Sequence, residues 1–242
     1  MCADSARDER PREGQRSQGR SEKASEGVAY SEEYNVYYRE GSYDLGTLRG
    51  LRDYSSLSPK VGDLVLDVGG HCGFFAREYA RKCRAVVSLE PAPPNIEMFK
   101  LNCDGDDKIH LVQAALVADE YEGEWISLWL NPGINHGMHS TVERRGRSSI
   151  DVPVRRVSDI VRLYEPSIMK VDIEGAEYGI FTHYTFPDHV RKIAMEIHFG
   201  RREWRYERAP LLVENLRKQG FKAARQPAMQ GKQWATVGVW RR

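Results

Sequence analysis

No apolar run in this sequence approaches the ~20 residues that a membrane-spanning helix needs, so no membrane segment is expected. The N-terminus is charged from Asp4 onward and has no apolar core, which argues against a secretory signal there. The four cysteines, Cys2, Cys72, Cys83 and Cys103, show no C-x-x-C spacing. A disulfide framework and a zinc knuckle are therefore not expected, and reduced thiols in the cytoplasm are the natural setting. Charge of one sign is also missing. Lys and Arg total 36 against 35 Asp and Glu, so the chain has no uniformly cationic coat for nucleic acid.

Residues 1–27 lack Val, Ile, Leu and every aromatic. Six acids and six bases nearly cancel there, and the stretch has too little apolar surface to offset the entropy of ordering. It is expected to be a disordered, solvated tail. Residues 28–60 carry Tyr30, Tyr34, Tyr37, Tyr38, Tyr43 and Tyr54 and read as an aromatic, helical lead-in segment. Those tyrosines cover the core or line a pocket, and they offer a contact for a homodimer.

From residue 61 to 242 strand and helix signals alternate. DLVLDV (63–68), AVVSLE (85–90), IHLVQAAL (109–116), SIMKVDI (167–173) and KIAMEIH (192–198) read as strands. FFAREYARK (74–82), NIEMFKLN (95–102), a segment from about Ala176 and APLLVENLRKQG (209–220) read as helices. EWISLWL (124–130) and DVPVRRV (151–157) form a meander around a Gly/Asn/His-rich loop. Such alternation predicts βαβ units and a mainly parallel, doubly wound sheet. The last two strands, FKAARQ and WATVGVWRR, are joined by a turn too short for a parallel crossover and must be antiparallel. A parallel sheet ending in an antiparallel hairpin is the plan of class I methyltransferases, not of a dehydrogenase's dinucleotide domain.

Three motifs carry chemistry. Asp67-Val68-Gly69-Gly70-His71-Cys72-Gly73 leaves a strand and opens a helix, where glycines let the backbone approach a ligand. The pyrophosphate pattern G-x-G-x-x-G is not met, because Asp67 holds its first position. An acid there suits a ligand with a cationic ammonium, such as S-adenosylmethionine, and suits a dinucleotide poorly. Glu90, followed by Pro91 at the end of the second strand, is placed to accept hydrogen bonds from both ribose hydroxyls of a nucleoside. Lys170-Val171-Asp172-Ile173-Glu174-Gly175-Ala176-Glu177 puts three acids and a glycine at one strand tip, facing the ligand crevice.

DVGGHCGFFA, SLEPAPPNIEMFKLN, VQAAL, GMHST (137–141), VPVRRVSDIV, MKVDIEGAEYGIF and MEIH follow in order over roughly residues 40–200. In this the chain resembles the FkbM family of S-adenosylmethionine-dependent methyltransferases. One departure is His71, where members usually carry Asn. The resemblance implies a Rossmann-like α/β fold with a seven-stranded sheet and helices on both faces. It implies methyl transfer, usually onto a hydroxyl of a secondary metabolite or sugar, and in some relatives onto side-chain amide nitrogens of peptides. Asp67, Gly69, Gly70, His71, Gly73, Glu90, Pro91, Gln113, Ala114 and Asp172 are then expected around the cofactor.

A hydroxyl acceptor sheds a proton as it is methylated, so a base is sought. His198 ends a strand on the same face as Glu196 and is the first candidate. Asp172 is the second and alternatively holds the methionine ammonium; Glu174 is expected to orient the acceptor or to stabilise the strand tip. His139, Ser140, Glu196 and Trp204 are expected to meet the substrate, Trp204 from an aromatic and basic run after the fifth strand. His136-Gly-Met-His139 has two imidazoles but no third ligand, so it reads as an active-site loop and no metal is expected. Residues 191–242 hold thirteen Lys or Arg against four Asp or Glu. This basic end leaves a nucleotide or nucleic-acid acceptor open beside the small-molecule or peptide one. A non-catalytic module that only binds the cofactor is the remaining reading, and the full set of acids argues against it.

Overall fold

A computed structural model describes residues 27–200, 204–229 and 234–242. The expected tail therefore lies, but for its last residue, outside the described residues. The lead-in segment differs from expectation. It begins with an antiparallel hairpin, β1 (Val28–Ser31) and β2 (Val36–Arg39), before helix α1 (Asp44–Gly50) and a 3-10 turn (Leu51–Leu57). Valine and tyrosine at these positions favour strand, and Asn35, at φ 55°, supplies the left-handed residue that the tight turn needs.

The sheet that follows has seven strands. In chain order they are β3 (Leu64–Val68), β4 (Ala85–Leu89), β5 (Ile109–Val112), β9 (Ile168–Val171), β10 (Lys192–His198), β11 (Lys222–Arg225) and β12 (Ala235–Arg241). Across the sheet they run β11-β12-β10-β9-β3-β4-β5. β5, β4, β3, β9 and β10 are parallel, and β12 is antiparallel to both neighbours, as its short connection demands. The run 109–116 does not form one strand. It breaks at Gln113-Ala114, and β6 (Ala115–Val117) joins β7 (Trp125–Trp129) and β8 (Ser149–Arg156) in a separate three-stranded sheet.

Alternation along β3 sends Leu64, Leu66 and Val68 to one face and Val65 to the other. The first face packs against α4 (Val157–Tyr164), α5 (Glu177–Phe181) and α6 (Ala209–Lys218) through Ile160, Phe181 and Leu212. The second packs against α2 (Phe74–Ala80), α3 (Pro93–Cys103) and the 3-10 turn through Phe75, Phe99 and Leu57. Burying both faces accounts for the near-continuous apolar runs of the parallel strands. Cys72, Cys83 and Cys103 are buried free thiols. Among the described residues no helix is long and apolar enough to cross a membrane.

Candidate active site

A cavity of about 320 Å³ opens at the carboxyl ends of β3, β4, β9 and β10. The polypeptide gets there through the turn after β3. Gly69 sits at φ 90° and a Cβ on it would lie 1.9 Å from the Asp172 carbonyl oxygen, so only glycine lets the two strand tips touch. The Gly69 and Gly70 N–H groups both donate to Leu89 O, fixing the turn against β4. His71 follows at φ 47°, a left-handed position that asparagine tolerates better than histidine.

Glu90 closes that side. It is buried, lines the cavity, and accepts from His71 N (2.8 Å), Ala92 N (2.9 Å) and Asn95 Nδ2 (3.2 Å). Pro91, Ala114, Leu116 and Leu128 add apolar wall beside it. The His71 ring is held by β2 and α1. Its Nε2 is 3.2 Å from Arg39, whose guanidinium forks onto Asp44 (2.8 and 2.9 Å). Burial pushes the His71 imidazole down to about 4, so it is neutral, and its buried Nδ1 has no hydrogen-bond partner among the described residues.

The opposite wall is acidic. Asp172, Glu174 and Glu196 line it together with Tyr54 and Lys170. Lys170 is buried and in register with Asp67 on β3, which is in register with Ser88 on β4. Its ammonium donates to Gly69 O (2.6 Å) and lies 3.1 Å from Asp67 Oδ1 and 3.9 Å from Asp172 Oδ2. Burial opposes that charge, but Asp67 and Asp172 outweigh it and hold the Lys170 ammonium above its usual range. Tyr54 Oη is within 3.3 Å of Asp172 Oδ2 and 3.2 Å of Glu196 Oε2. Burial first, and then both carboxylates, push Tyr54 well above 10, so it remains a hydroxyl donor.

Several expected site residues fall elsewhere. Asp67 is fully buried and outside the cavity lining, because Ser88 Oγ (2.8 Å) and Lys170 take up its carboxylate. It is the counter-ion of Lys170, not a surface for a ligand. Gly73 packs under Cys103 and Phe99, where a Cβ would meet the Cys103 sulfur at 2.5 Å. Gln113 is exposed, since the chain turns at that point from one sheet to the other. Ser140 is buried and donates to Glu174 O (2.8 Å), so it staples the loop after β7 to the β9 tip. The Trp204 side chain lies outside the described residues. Gly69, Gly70, His71, Glu90, Pro91, Ala114, His139, Asp172, Glu174 and Glu196 do share the one cavity. His139 is committed through Nδ1 to Asn131 N (2.9 Å).

His198 is also displaced from its expected role. It is 2% exposed and absent from the cavity lining. Glu177 takes its Nδ1 (3.2 Å) and its backbone N–H (2.9 Å), while Nε2 lies 3.5 Å from Glu174 and 3.9 Å from Asp172. Burial works against its charge, but Glu177 and Glu174 outweigh burial and raise its pKa well above 6.5. Held between Glu177 and Glu174 and off the cavity lining, His198 is placed as a clamp between the strand tips. A pH effect follows. A raised pKa in the folded state gives stability that is full below the unfolded pKa of about 6.5 and fades as pH climbs through the folded value. The stability lost in His198→Gln is therefore expected to be largest below about pH 6.5 and to shrink at alkaline pH. Urea unfolding of both proteins across pH checks this; a pH-independent difference would show that folding leaves the His198 pKa unchanged.

The cavity wall thus offers close backbone, a buried carboxylate held by backbone donors, and an acidic far end. The donor set matches a nucleoside at one end and a cation at the other.

The family model described as methyltransferase FkbM domain matches residues 67–223. Among curated proteins none matches this chain. Solved structures similar to it include the C-terminal domain of precorrin-6Y C5,15-methyltransferase from Rhodobacter capsulatus. That likeness has 15% identity and TM-score 0.42, covering 78% of this chain and 84% of that one. The precorrin-6Y C5,15-methyltransferase of Geobacter metallireducens is similar at 13% identity and TM-score 0.44, over 89% and 95% of the two chains. The fibrillarin pre-rRNA processing protein of Methanococcus jannaschii follows at 12% identity and TM-score 0.45, over 75% and 67%.

Proposed function

The chain belongs to the FkbM methyltransferase family, and from that premise we propose that it moves the methyl group of S-adenosylmethionine onto a hydroxyl of a small molecule. The observation that carries the reading is Glu90. It lies buried at the β4 tip, holds the glycine turn of β3 through His71 N, and opens on the same cavity as the acidic tips of β9 and β10. When bound, S-adenosylmethionine supplies a methyl on positively charged sulfur, and transfer leaves the electron pair of the carbon–sulfur bond on sulfur while an acceptor lone pair forms the new bond. Glu90 would hold the ribose hydroxyls. Pro91, Ala114, Leu116 and Leu128 would cover the base, and Gly69 and Gly70 leave room for the backbone to approach. Asp172 gives the far end a negative potential that favours the ammonium and the sulfonium. The remaining work is placement, which is worth much of the barrier by itself.

A hydroxyl acceptor is supported by the carboxylates at that end, which offer its proton a destination. The basic C-terminal stretch supports nucleic acid less than its composition suggests. Arg191 pairs with Asp63 (2.6 Å), Arg217 with Glu214 (2.8 Å) and Arg225 with Asp53 (2.9 Å).

The test is transfer of labelled methyl from S-adenosylmethionine into a host extract separated into small molecules, protein and nucleic acid, with Glu90→Ala as control. Label is expected among small molecules and absent in the control. Label confined to protein or nucleic acid would overturn the acceptor class, and failure to bind S-adenosylmethionine would overturn the activity.

A further inference from the structure

Asp172 and Glu196 come from neighbouring strands and meet under one hydroxyl. Tyr54 Oη reaches both carboxylates, at 3.3 and 3.2 Å, yet carries a single proton. Both acids line the cavity. The charged groups around them do not balance. Lys170 from β9 leans 3.1 Å from Asp67 and 3.9 Å from Asp172, and His198 from β10 is divided among Glu177, Glu174 and Asp172. With Arg144, whose guanidinium donates to Glu174 O at 2.8 Å, three cations face five carboxylates, those of Asp67, Asp172, Glu174, Glu177 and Glu196. Carboxylates crowded in a half-buried site resist ionising together, and Glu196 carries the rise. The Asp172 charge first, and burial second, push it up to about 8. His198 and the Tyr54 hydroxyl pull it down, and Glu174 adds to the rise.

We propose that Glu196, paired with Asp172 beneath Tyr54, is the catalytic base that takes the proton an acceptor hydroxyl sheds as it is methylated. The inference rests on the methyl-transfer reading and assigns its proton. The acceptor O–H bond breaks as the new carbon–oxygen bond forms, the proton passes to a Glu196 carboxylate oxygen, and it leaves to solvent before the next turnover. Only the ionised Glu196 is competent, so the rate rises with pH through the Glu196 titration. Tyr54 is a positioning residue: its hydrogen bond stabilises the ionised acid.

Two readouts test this. The first needs no acceptor. Infrared difference spectra of the protein alone are expected to show a protonated carboxyl at pH 7 that titrates near 8 and is missing from Glu196→Gln. The second is labelled transfer into the acceptor fraction found above, with S-adenosylmethionine affinity followed by calorimetry. Glu196→Gln is expected to cut turnover by about 10²–10⁴-fold with affinity within about threefold. Glu196→Asp restores part of the rate, and Tyr54→Phe moves the rising limb to higher pH. Glu196→Gln turning over at the wild-type rate would overturn the proposal. So would a loss of affinity in that variant with its saturated rate intact, which would make Glu196 a clamp for the methionine ammonium. A wild-type protein that shows the titrating carboxyl but transfers no label would instead sink the methyl-transfer reading, and the base role with it.

Discussion

Lys170→Met is expected to cost about 3–5 kcal/mol of folding stability, the usual loss when one member of a buried ion pair is removed. At this chain length each kcal/mol moves Tm by roughly 2–4 °C, so a fall of about 10 °C is anticipated. The reason is what Lys170 leaves behind. Its ammonium faces Asp67 at 3.1 Å and donates to Gly69 O at 2.6 Å, under the rings of Tyr54 and Phe75, both 5.7 Å away. Without it Asp67 is a fully buried carboxylate with one hydrogen bond, from Ser88. Burial already raises the Asp67 pKa, and Lys170 is the largest influence pulling it back. Loss of the ammonium raises it further. A carboxyl whose folded pKa lies above the unfolded value loses stability as pH rises, so the penalty should grow from acid toward neutral pH. Asp67→Asn in the Lys170→Met background removes the stranded charge and should recover part of the loss, giving a coupling energy between the two sites. Urea unfolding of the four proteins measures it. A single-variant loss below about 1 kcal/mol would mean that water reaches the pair and screens it.

The same pair shows which parts of this site are written in local sequence. The glycine turn, Glu90-Pro91 and the Lys170–Glu177 run were legible because each packs its chemistry into a few adjacent residues. Register between strands is not local. Asp67 read as an acid for a ligand, and nothing in DVGG says that Lys170, with five strands between them in the chain, lies directly beside it. His198 read as a base for a similar reason, since the spacing Glu-Ile-His is visible but the burial of Glu177 against it is not. Tyr54 is 118 residues from Asp172 and 142 from Glu196, so no motif could nominate it. Arg39, Asp44 and Asn95, which hold His71 and Glu90, were silent too. Their side chains are ordinary surface types that only the packing of β2, α1 and α3 around the β3 turn brings together. The β1–β2 hairpin read as helix because its tyrosines space equally well on either element, and packing decided between them.

Glu90→Ala is expected to weaken S-adenosylmethionine binding by about 100-fold or more. Hydrogen bonds to a charged acceptor contribute about 1.5–3 kcal/mol each, and a ribose presents two hydroxyls to one carboxylate. Since about 1.4 kcal/mol is tenfold in Kd, two such bonds cover that range. The carboxylate also ties His71 N and Ala92 N together, so some of the loss would come from a loosened turn. Glu90→Gln separates the two effects. It keeps the shape and one acceptor oxygen but loses the charge, and a loss of about tenfold is expected. The sharper readout is discrimination between adenosine and 2′,3′-dideoxyadenosine, measured by calorimetry. Wild type should prefer adenosine strongly and Glu90→Ala should bind both about equally weakly. A loosened turn alone would weaken the two ligands in parallel and leave their ratio unchanged. Equal binding of both by the wild type would remove Glu90 from the ribose and leave it as the peg that holds β4 to the glycine turn.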